Sequence, residues 1–349
     1  MRKEKVKVIS WGLGSMGKGI VEMIRGKEGV EVVGAVVRGG KIGRSMYELL
    51  EIDRAGRPDI TAGSYKDVIK EGSADIVVIA TDSFTKDNFE KIKYCLERGI
   101  NVVSTAEEMA YPKAQELELA KELDRIAKEN GVTVLGTGIN PGLIMDLLVL
   151  LLTGASIDVE KIKAERINDL SPFGKAVMEG QGVGISEDKF NKRVSEGELD
   201  GHVGFPESIG MIADGLGWEL SKPVELERSP IVSSVYRKAP NAEVEAGEVA
   251  GCNMKGYGYV DGELKIEMLH PQQVEPHLEG GSTGDYITIK GTPDINMSIQ
   301  PEVPGGIGTI AMTVNMIPNI INARPGLKTM LDLPIPKAIM GDMRELIEI

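Results

Sequence analysis

The stretch VKVISWGLGSMG, residues 6–17, decides the fold because it places a glycine-rich turn directly behind a short apolar strand. The turn has the pattern Gly-x-Gly-x-x-Gly at Gly12, Gly14 and Gly17, and helical apolar spacing follows from Lys18 to Arg25. The first glycine permits a tight turn, the second lets a pyrophosphate approach, and the third lets helix and strand pack closely. The sequence therefore predicts a nicotinamide or flavin dinucleotide at the positive end of this helix.

The end of the second predicted strand, Val30–Val37, indicates which dinucleotide this turn binds. The carboxylate that binds the ribose of NAD usually stands about twenty residues past the glycines, but here the chain continues with Arg38 and Lys41. These cations can face a 2′-phosphate, and a guanidinium can also stack on adenine; the alternative is a pair of solvated loop cations. We predict NADP or NAD, with NADP slightly favoured and dual use open. The predicted contacts in the turn are Gly12, Leu13, Gly14, Ser15, Met16 and Gly17.

Length and composition exclude several classes of protein. The 349 residues are enough for two domains, and the net charge of −13 would repel nucleic acid. Only two cysteines occur, which excludes a disulfide framework. The most apolar stretch, 143–152, is too short to span a membrane. We expect a soluble cytoplasmic protein with no nucleic-acid or membrane partner.

Strand and helix patterns alternate through the first 140 residues and predict a Rossmann-type, doubly wound parallel sheet of the α/β class. Beyond Gly142 the pattern changes to β-hairpins and helices, which predicts an α+β domain with a mainly antiparallel or mixed sheet. The helical tail is expected to return to the first domain. We therefore predict a dinucleotide-binding domain at 1–142 plus about 305–349, and a substrate-binding and dimerisation domain at about 143–304.

The periodicity also predicts individual elements. The helices are expected at 45–53, 64–71, 88–98, 113–130, 143–153, 186–197 and 206–219. The strands are expected at 59–62, 74–81, 100–108, 161–168, 223–237, 244–269 and 285–302.

Four motifs resemble the dihydrodipicolinate-reductase-like superfamily and, within it, the 2,4-diaminopentanoate dehydrogenases and native amine dehydrogenases. They are WGLGSMG (11–17), STAEEMAYP (104–112), GTGINPG (136–142) and VNMIPNIINARPGL (314–327). The paired histidines of true dihydrodipicolinate reductases are missing, since the three histidines are scattered. The resemblance implies a reversible oxidative deamination with NAD(P), in which 2,4-diaminopentanoate becomes 2-amino-4-oxopentanoate and ammonia. It also implies a homodimer.

Amine oxidation needs a base, because only the neutral amine can release a hydride. The carboxylate pair Glu107 and Glu108 follows a predicted strand, and two adjacent acids in a dry pocket push one pKa upward. The resemblance implies a catalytic glutamate in this run. The alternative is a pair of acids that stabilise a helix N-terminus. Since the strand has ended, the sequence leaves open which of the two is the base.

A substrate carboxylate needs a cation, and the fork of Arg166 suits a bidentate pair. The resemblance implies that His270 and Thr309 line the substrate pocket, and Phe173 is expected as its aromatic wall. The alternatives are a surface cation on a strand, a turn residue before Pro271, and a helix-start hydroxyl. The ammonium that does not react also needs a partner, for which Asp169 and Asp146 are the candidates.

The remaining cofactor contacts are expected from four polar residues. Thr81 and Ser83 follow the strand that passes beneath the nicotinamide ribose, and Asn140 can hold the carboxamide or cap a helix that starts at Pro141. Asn315 is expected to reach the same region. No spacing of histidines or cysteines predicts a metal, and no lysine stands in a recognisable pyridoxal-phosphate setting.

The sequence leaves two rival functions open. One is an NADP-dependent reductase of a cyclic imine or a semialdehyde. The other is a non-catalytic NAD(P)-binding protein, which would not need the acids and Arg166. We favour the oxidative deamination, for which the partners of the enzyme are a small amino acid, an oxo acid and ammonia.

Overall fold

The computed structural model describes residues 2–348, which form two units. The first unit contains the residues up to Leu143 together with those from Gly305 onward, and the second contains Ile144–Pro304. Each unit has its own six-stranded sheet. No helix of the described residues is both long and apolar enough to cross a membrane.

The sheet of the first unit is built from short Val- and Ile-rich runs, as expected for parallel strands that are buried on both faces. Its strands are β1 Val6–Trp11, β2 Val30–Val36, β3 Ile76–Ile79, β4 Asn101–Ser104, β5 Thr133–Gly136 and β14 Gly326–Lys328. Their spatial order is β14-β5-β4-β3-β1-β2, and all neighbours are parallel. The predicted Rossmann-type α/β class is confirmed.

The helices of this unit connect the strands and cover the sheet. They are α1 Ser15–Arg25, α2 Met46–Leu50, α3 Tyr65–Val68, α4 Thr85–Leu96, α5 Leu117–Glu129, α10 Gly305–Asn315 and α11 Ile317–Asn322. Gly19 of α1 leaves room for Ile310 of α10, because a Cβ there would lie 2.2 Å from its Cδ1 atom. The tail, predicted as helical, also contributes the edge strand β14 beside β5.

Several predicted boundaries in this unit are wrong. No strand forms at 59–62, where Thr61 makes only an isolated bridge to Ser45. The helix expected from residue 113 begins at Leu117, because Pro112–Ala114 form a separate 3-10 turn. The strand expected at 100–108 ends at Ser104, which places both glutamates of the STAEEMAYP run in a 3-10 turn, Glu107–Ala110.

The second unit contains a mixed sheet, as the predicted α+β class allows. Its strands are β6 Asp158–Asp169, β7 Glu225–Val232, β10 Val249–Val260, β11 Glu263–Gln273, β12 Gly284–Thr292 and β13 Ile295–Ile299, with a small hairpin of β8 Arg237–Ala239 and β9 Ala242–Val244. The order is β13-β12-β6-β11-β10-β7, in which β11 and β6 are parallel and the other neighbours antiparallel. The helices are α6 Leu147–Thr153, α7 Lys175–Gly180, α8 Glu187–Ser195 and α9 Phe205–Leu216.

One predicted run of this unit divides into two strands. The segment 244–269 turns at Asp261 and Gly262, both with positive φ, and its second half continues as β11. His270 therefore lies within a strand, and its expected position in a turn is wrong. Pro271 indicated a turn in the sequence, but a strand tolerates proline at a position where no N–H donor is needed. The ladder between β11 and β6 is interrupted at this position, since no Cα pair forms between Leu269 and Gln272.

Helix α9 packs on one face of this sheet and buries it. Gly256 and Gly258 on β10 make room for Phe205 and Ile209, since a Cβ at either glycine would lie within 2.7 Å of these side chains. Alternate residues of β6 point to the same buried face, which begins apolar and ends polar at its carboxyl end. This alternation places two of the predicted site residues of the second unit, Arg166 and His270, on the same face.

Candidate active site and cofactor site

The turn between β1 and α1 has the geometry that its glycines require. Gly12 has a φ of +105°, and a Cβ there would lie 2.5 Å from the carbonyl oxygen of Ala80. A Cβ on Gly17 would lie 2.0 Å from the carbonyl oxygen of Gly12. Gly14 is exposed, with nothing within 4 Å of its Cβ position. Its backbone is therefore open to a ligand.

A cavity of about 720 Å³ lies beside this turn in the first unit. Ser15, Met16 and Gly17 form the first turn of α1, whose N–H groups have no carbonyl partner within the helix. Donors of this kind beside a cavity of this size fit the phosphates of a nicotinamide dinucleotide. The predicted cofactor residues that line the cavity are Gly12, Leu13, Gly14, Arg38, Lys41 and Thr81.

An aromatic group that the sequence analysis missed lines the same cavity. Trp11 stacks on Tyr65 with ring centroids 5.4 Å apart, and Tyr94 meets Tyr65 edge-on at 4.7 Å. Trp11 stands next to the glycines, which was a usable signal. The two tyrosines come from α3 and α4, and only the fold shows that they are neighbours.

Ser83 is not in the cavity wall but joins the loop after β3 to the 3-10 turn after β4. Its carbonyl oxygen accepts the N–H of Glu108 at 3.1 Å. The Glu108 carboxylate is buried and accepts the N–H of Thr85, the first residue of α4, at 2.7 Å and the amide of Gln115 at 3.4 Å. Both oxygens of Glu108 are thus engaged in holding the two loops.

Glu107 has a different environment from its neighbour. Its side chain is half-buried, and burial raises the pKa of its carboxyl above the ordinary value. Its own backbone N–H and the Ser83 hydroxyl oppose that rise by hydrogen bonding, and the nearby Glu108 charge adds to the rise in pKa. A carboxyl with a raised pKa suits proton transfer.

The loop 136–142 and helix α10 are joined by Thr309, whose hydroxyl accepts the N–H of Ile139 at 3.2 Å. Asn140 is buried in this loop. Its expected role as a helix cap is wrong, because residues 141–146 form turns and α6 begins only at Leu147. Asn315 is not in the dinucleotide cavity. Its side-chain oxygen accepts the N–H of Ile339 at 3.3 Å, and it lines a separate cavity of about 590 Å³.

In the second unit, Arg166 is only 2 % exposed. It pairs with Asp285 on β12 at 2.5 Å and donates to the carbonyl oxygen of Val303 at 2.6 Å. Its alternative role as a surface cation is therefore wrong. Burial raises the pKa of Asp285, and the adjacent guanidinium opposes that rise. Other N–H groups of the fork remain to meet a second anion.

His270 lies beside Arg166 on the same buried face. Its Nδ1 atom is 2.6 Å from the carbonyl oxygen of Arg166, and because a carbonyl only accepts, Nδ1 carries the proton. Burial, the nearby His202 ring and Arg166 hold the pKa of His270 well below its usual value. The neutral ring therefore presents Nε2 as a hydrogen-bond acceptor.

Two buried amides one row further along were missed by the sequence analysis. Asn168 and Gln272 are register partners on β6 and β11, and they are 4 % and 6 % exposed. Within residues 2–348 the Asn168 Oδ1 and Gln272 Nε2 atoms have no hydrogen-bond partner. Buried polar atoms of this kind need one, so a polar ligand group fits here. Their alternation with Arg166 and His270 was the available signal.

The other predicted substrate residues lie elsewhere. Asp169 accepts hydrogen bonds from the N–H and hydroxyl of Ser171 and from the N–H of Glu275. Asp146 caps α6 and accepts the Ser208 hydroxyl at 2.8 Å. Phe173 packs against a small apolar cluster of Leu170, Met178, Ala239 and Val274. Both acids thus have structural partners. Across residues 2–348, no group of three or more metal-ligating side chains occurs.

Comparison with known proteins places this fold and these residues in one class. Residues 6–131 match the family model "Dihydrodipicolinate reductase, N-terminus", and residues 143–349 match "2,4-diaminopentanoate dehydrogenase C-terminal domain". The solved amine dehydrogenase from Mycobacterium smegmatis superposes with a TM-score of 0.85 at 25% identity, covering 97% of this chain and 99% of that one. The protein is a dehydrogenase of the NAD(P)-dependent class that acts on amines.

Sequence relatives narrow the class further. The chain is 63% identical to 2,4-diaminopentanoate dehydrogenase of Acetoanaerobium sticklandii, over 99% of this chain and 98% of the relative. An amine dehydrogenase of Streptomyces virginiae is 23% identical, over 96% and 98%. The chain belongs to the 2,4-diaminopentanoate dehydrogenase family.

Proposed function

We propose that the protein oxidises 2,4-diaminopentanoate at C4 and releases 2-amino-4-oxopentanoate and ammonia. The observation that carries this proposal is the 63% identity, over nearly the whole of both chains, to a dehydrogenase named for that substrate. Gly12, Gly14 and the N-terminus of α1 would hold a nicotinamide dinucleotide, which would supply the acceptor for the C4 hydride. Water then adds to the imine carbon, and the carbinolamine collapses to the ketone and ammonia.

Within this reaction, Glu107 is the proposed base. It would take the proton from the C4 ammonium before hydride loss, release that proton to solvent, and then, ionised again, assist the attack of water on the imine. Its raised pKa and half-buried position support this role. Glu108 is assigned to position the loop, because its carboxylate already accepts the Thr85 N–H and the Gln115 amide.

The polar end of β6 and β11 is the proposed contact for the amino acid part of the substrate. Arg166 would hold the carboxylate with the N–H groups that Asp285 and Val303 leave free. The Nε2 atom of His270 and the Oδ1 atom of Asn168 are acceptors that suit the ammonium that does not react. This proposal replaces Asp169 and Asp146, whose carboxylates have structural partners. Thr309 and Phe173 remain proposed pocket residues.

The reaction is tested by following absorbance at 340 nm with 2,4-diaminopentanoate and either NADP or NAD, with ammonia measured in parallel. We expect reduced cofactor and ammonia in equal amounts. A mono-amine without the carboxylate is the matched comparison and should react more slowly. Reduction without ammonia would contradict the proposed chemistry. Turnover only with a 4-oxo acid, ammonium and NADPH would keep the chemistry and change the substrate.

NADP is the proposed favoured cofactor, because Arg38 and Lys41 line the cavity without an ion pair to any of residues 2–348. Arg38→Ala is expected to weaken NADPH binding about tenfold and NADH binding little, since only NADPH carries the 2′-phosphate. Fluorescence titration measures both dissociation constants. Arg44→Ala removes an exposed cation outside the cavity wall and is the control. An unchanged NADPH-to-NADH ratio in Arg38→Ala would contradict the assignment.

A homodimer is the proposed assembly, with the uncovered face of the mixed sheet as its interface. Tyr257, Leu269 and Tyr286 are half-buried residues on this face, and apolar surface left exposed on a protein is typical of an interaction site. Light scattering at micromolar concentration should give twice the mass of the chain. A monomeric mass would remove this proposal.

A further inference from the structure

The cavity beside the glycine turn contains a charged pair that the sequence analysis did not consider. Asp82 stands just past the end of β3, and Lys91 lies on α4; both line the cavity together with Arg38 and Lys41. The Lys91 ammonium forms an ion pair with Asp82 and also donates to the Thr81 hydroxyl at 2.9 Å. The Asp82 carboxylate therefore lies in the same cavity wall as the cations Arg38, Lys41 and Lys91.

The loop that carries Asp82 is held in place by a buried side chain. The Asn88 amide donates to the carbonyl oxygens of Asp82 and Phe84 at 3.2 Å and 2.9 Å, and its own oxygen accepts the Thr81 hydroxyl at 3.3 Å. Asn88 is fully buried. The carboxylate is therefore fixed at its backbone, whereas Lys91 has a long, partly exposed side chain that can change partners.

The charges around Asp82 keep its carboxylate ionised. Burial raises the pKa of Asp82. Hydrogen bonds from Lys91 and Thr81 and the charges of Lys91 and Arg38 together lower this pKa by more than burial raises it, so the net shift is downward. Other charged residues of the cavity wall are Glu90 and Lys93 on α4 and Glu97 just past its end. An ionised carboxylate accepts the hydroxyls of a ribose and repels a phosphate.

The usual ribose carboxylate at the end of β2 is absent, since that position holds Arg38. Asp82 is the carboxylate that reaches the cavity from the neighbouring part of the sheet edge. We propose that Asp82 and Lys91 together select between NAD and NADP. With NAD, the Asp82 carboxylate accepts the ribose hydroxyls. With NADP, the Lys91 ammonium moves away from Asp82 and binds the 2′-phosphate beside Arg38. The inference rests on the proposed binding of NADP or NAD in this cavity and adds the two residues that set the ratio of the two affinities.

Fluorescence titration of the full-length protein with NADPH and with NADH, without amine, tests the selector. Lys91→Met should weaken NADPH binding about tenfold and leave NADH binding unchanged or tighter, because Asp82 is then free to bind the diol. Asp82→Asn should act in the opposite direction, with tighter NADPH and weaker NADH binding. The two variants thus predict opposite changes in the NADPH-to-NADH ratio, which general damage to the fold would not produce.

Lys86→Met is the matched control, because Lys86 is a cation on the same helix but lies outside the cavity wall. Its ammonium pairs with Glu116. The ratio of affinities in this variant should equal that of the unaltered protein. Equal losses for both cofactors in Lys91→Met, or the same change in Lys86→Met, would overturn the selector. Failure of the unaltered protein to bind either cofactor would instead overturn the proposed function itself.

Discussion

Glu107→Gln is expected to lower kcat for amine oxidation about a thousandfold while NADPH binding stays unchanged. The amide keeps the size of the side chain but cannot take a proton from the substrate ammonium. Steady-state rates together with NADPH titration separate the two effects. Turnover close to that of the unaltered enzyme would remove Glu107 as the base.

Glu108→Gln is the comparison for this experiment, because it changes the adjacent residue in the same way. Its carboxylate accepts the N–H of Thr85 and the amide of Gln115, so the variant loses a charged partner for the start of α4. We expect a loss of about 1–2 kcal/mol in the free energy of unfolding and a much smaller loss of kcat. If Glu108→Gln lost turnover and Glu107→Gln kept it, the two roles would be reversed.

The pKa of Glu107 also predicts a pH dependence. The base must be ionised, and burial raises the pKa of Glu107, so kcat for oxidation should fall as the pH drops through that raised value. A carboxyl whose pKa is raised by folding contributes stability at low pH that is lost as the pH rises through the raised value. Glu107→Gln should therefore lack this limb of the kcat profile and be at least as stable as the unaltered enzyme at neutral pH.

Arg166→Met is expected to cost roughly 3–5 kcal/mol of the free energy of unfolding. Asp285 is fully buried and would lose the guanidinium that compensates its charge. Denaturant unfolding measures this loss. The same variant should raise KM for carboxylated substrates and affect simple ketones less.

Two further variants make this prediction specific. The double variant Arg166→Met, Asp285→Leu removes both charges and should recover most of the lost stability, because no unpaired charge is left in the interior. Lys161→Met breaks an exposed pair with Glu267 on the same sheet and should cost at most about 1 kcal/mol. A cost for Arg166→Met no greater than that for Lys161→Met would contradict the argument.

Glu107 and Glu108 illustrate which features of the candidate site can be predicted from the sequence and which cannot. It predicts that a carboxylate pair follows a strand, because apolar runs and glycine turns are local signals. It leaves the two acids equivalent, because the alternation of a strand no longer distinguishes residues where the strand ends. Their different surroundings depend on Thr85 and Gln115, which belong to other elements.

The parallel sheet, the dinucleotide turn and the types of residue available for chemistry are therefore predictable from the amino-acid sequence alone. These follow from backbone requirements such as the positive φ of Gly12 and from periods of a few residues. Which side chains contact one another depends instead on the tertiary structure. Arg166 and Asp285 are 119 positions apart in the sequence. Strand β14 pairs with β5, which also lies far upstream of it in the sequence. Contacts between distant strands depend on sheet order and register, for which no short stretch of sequence carries a signal.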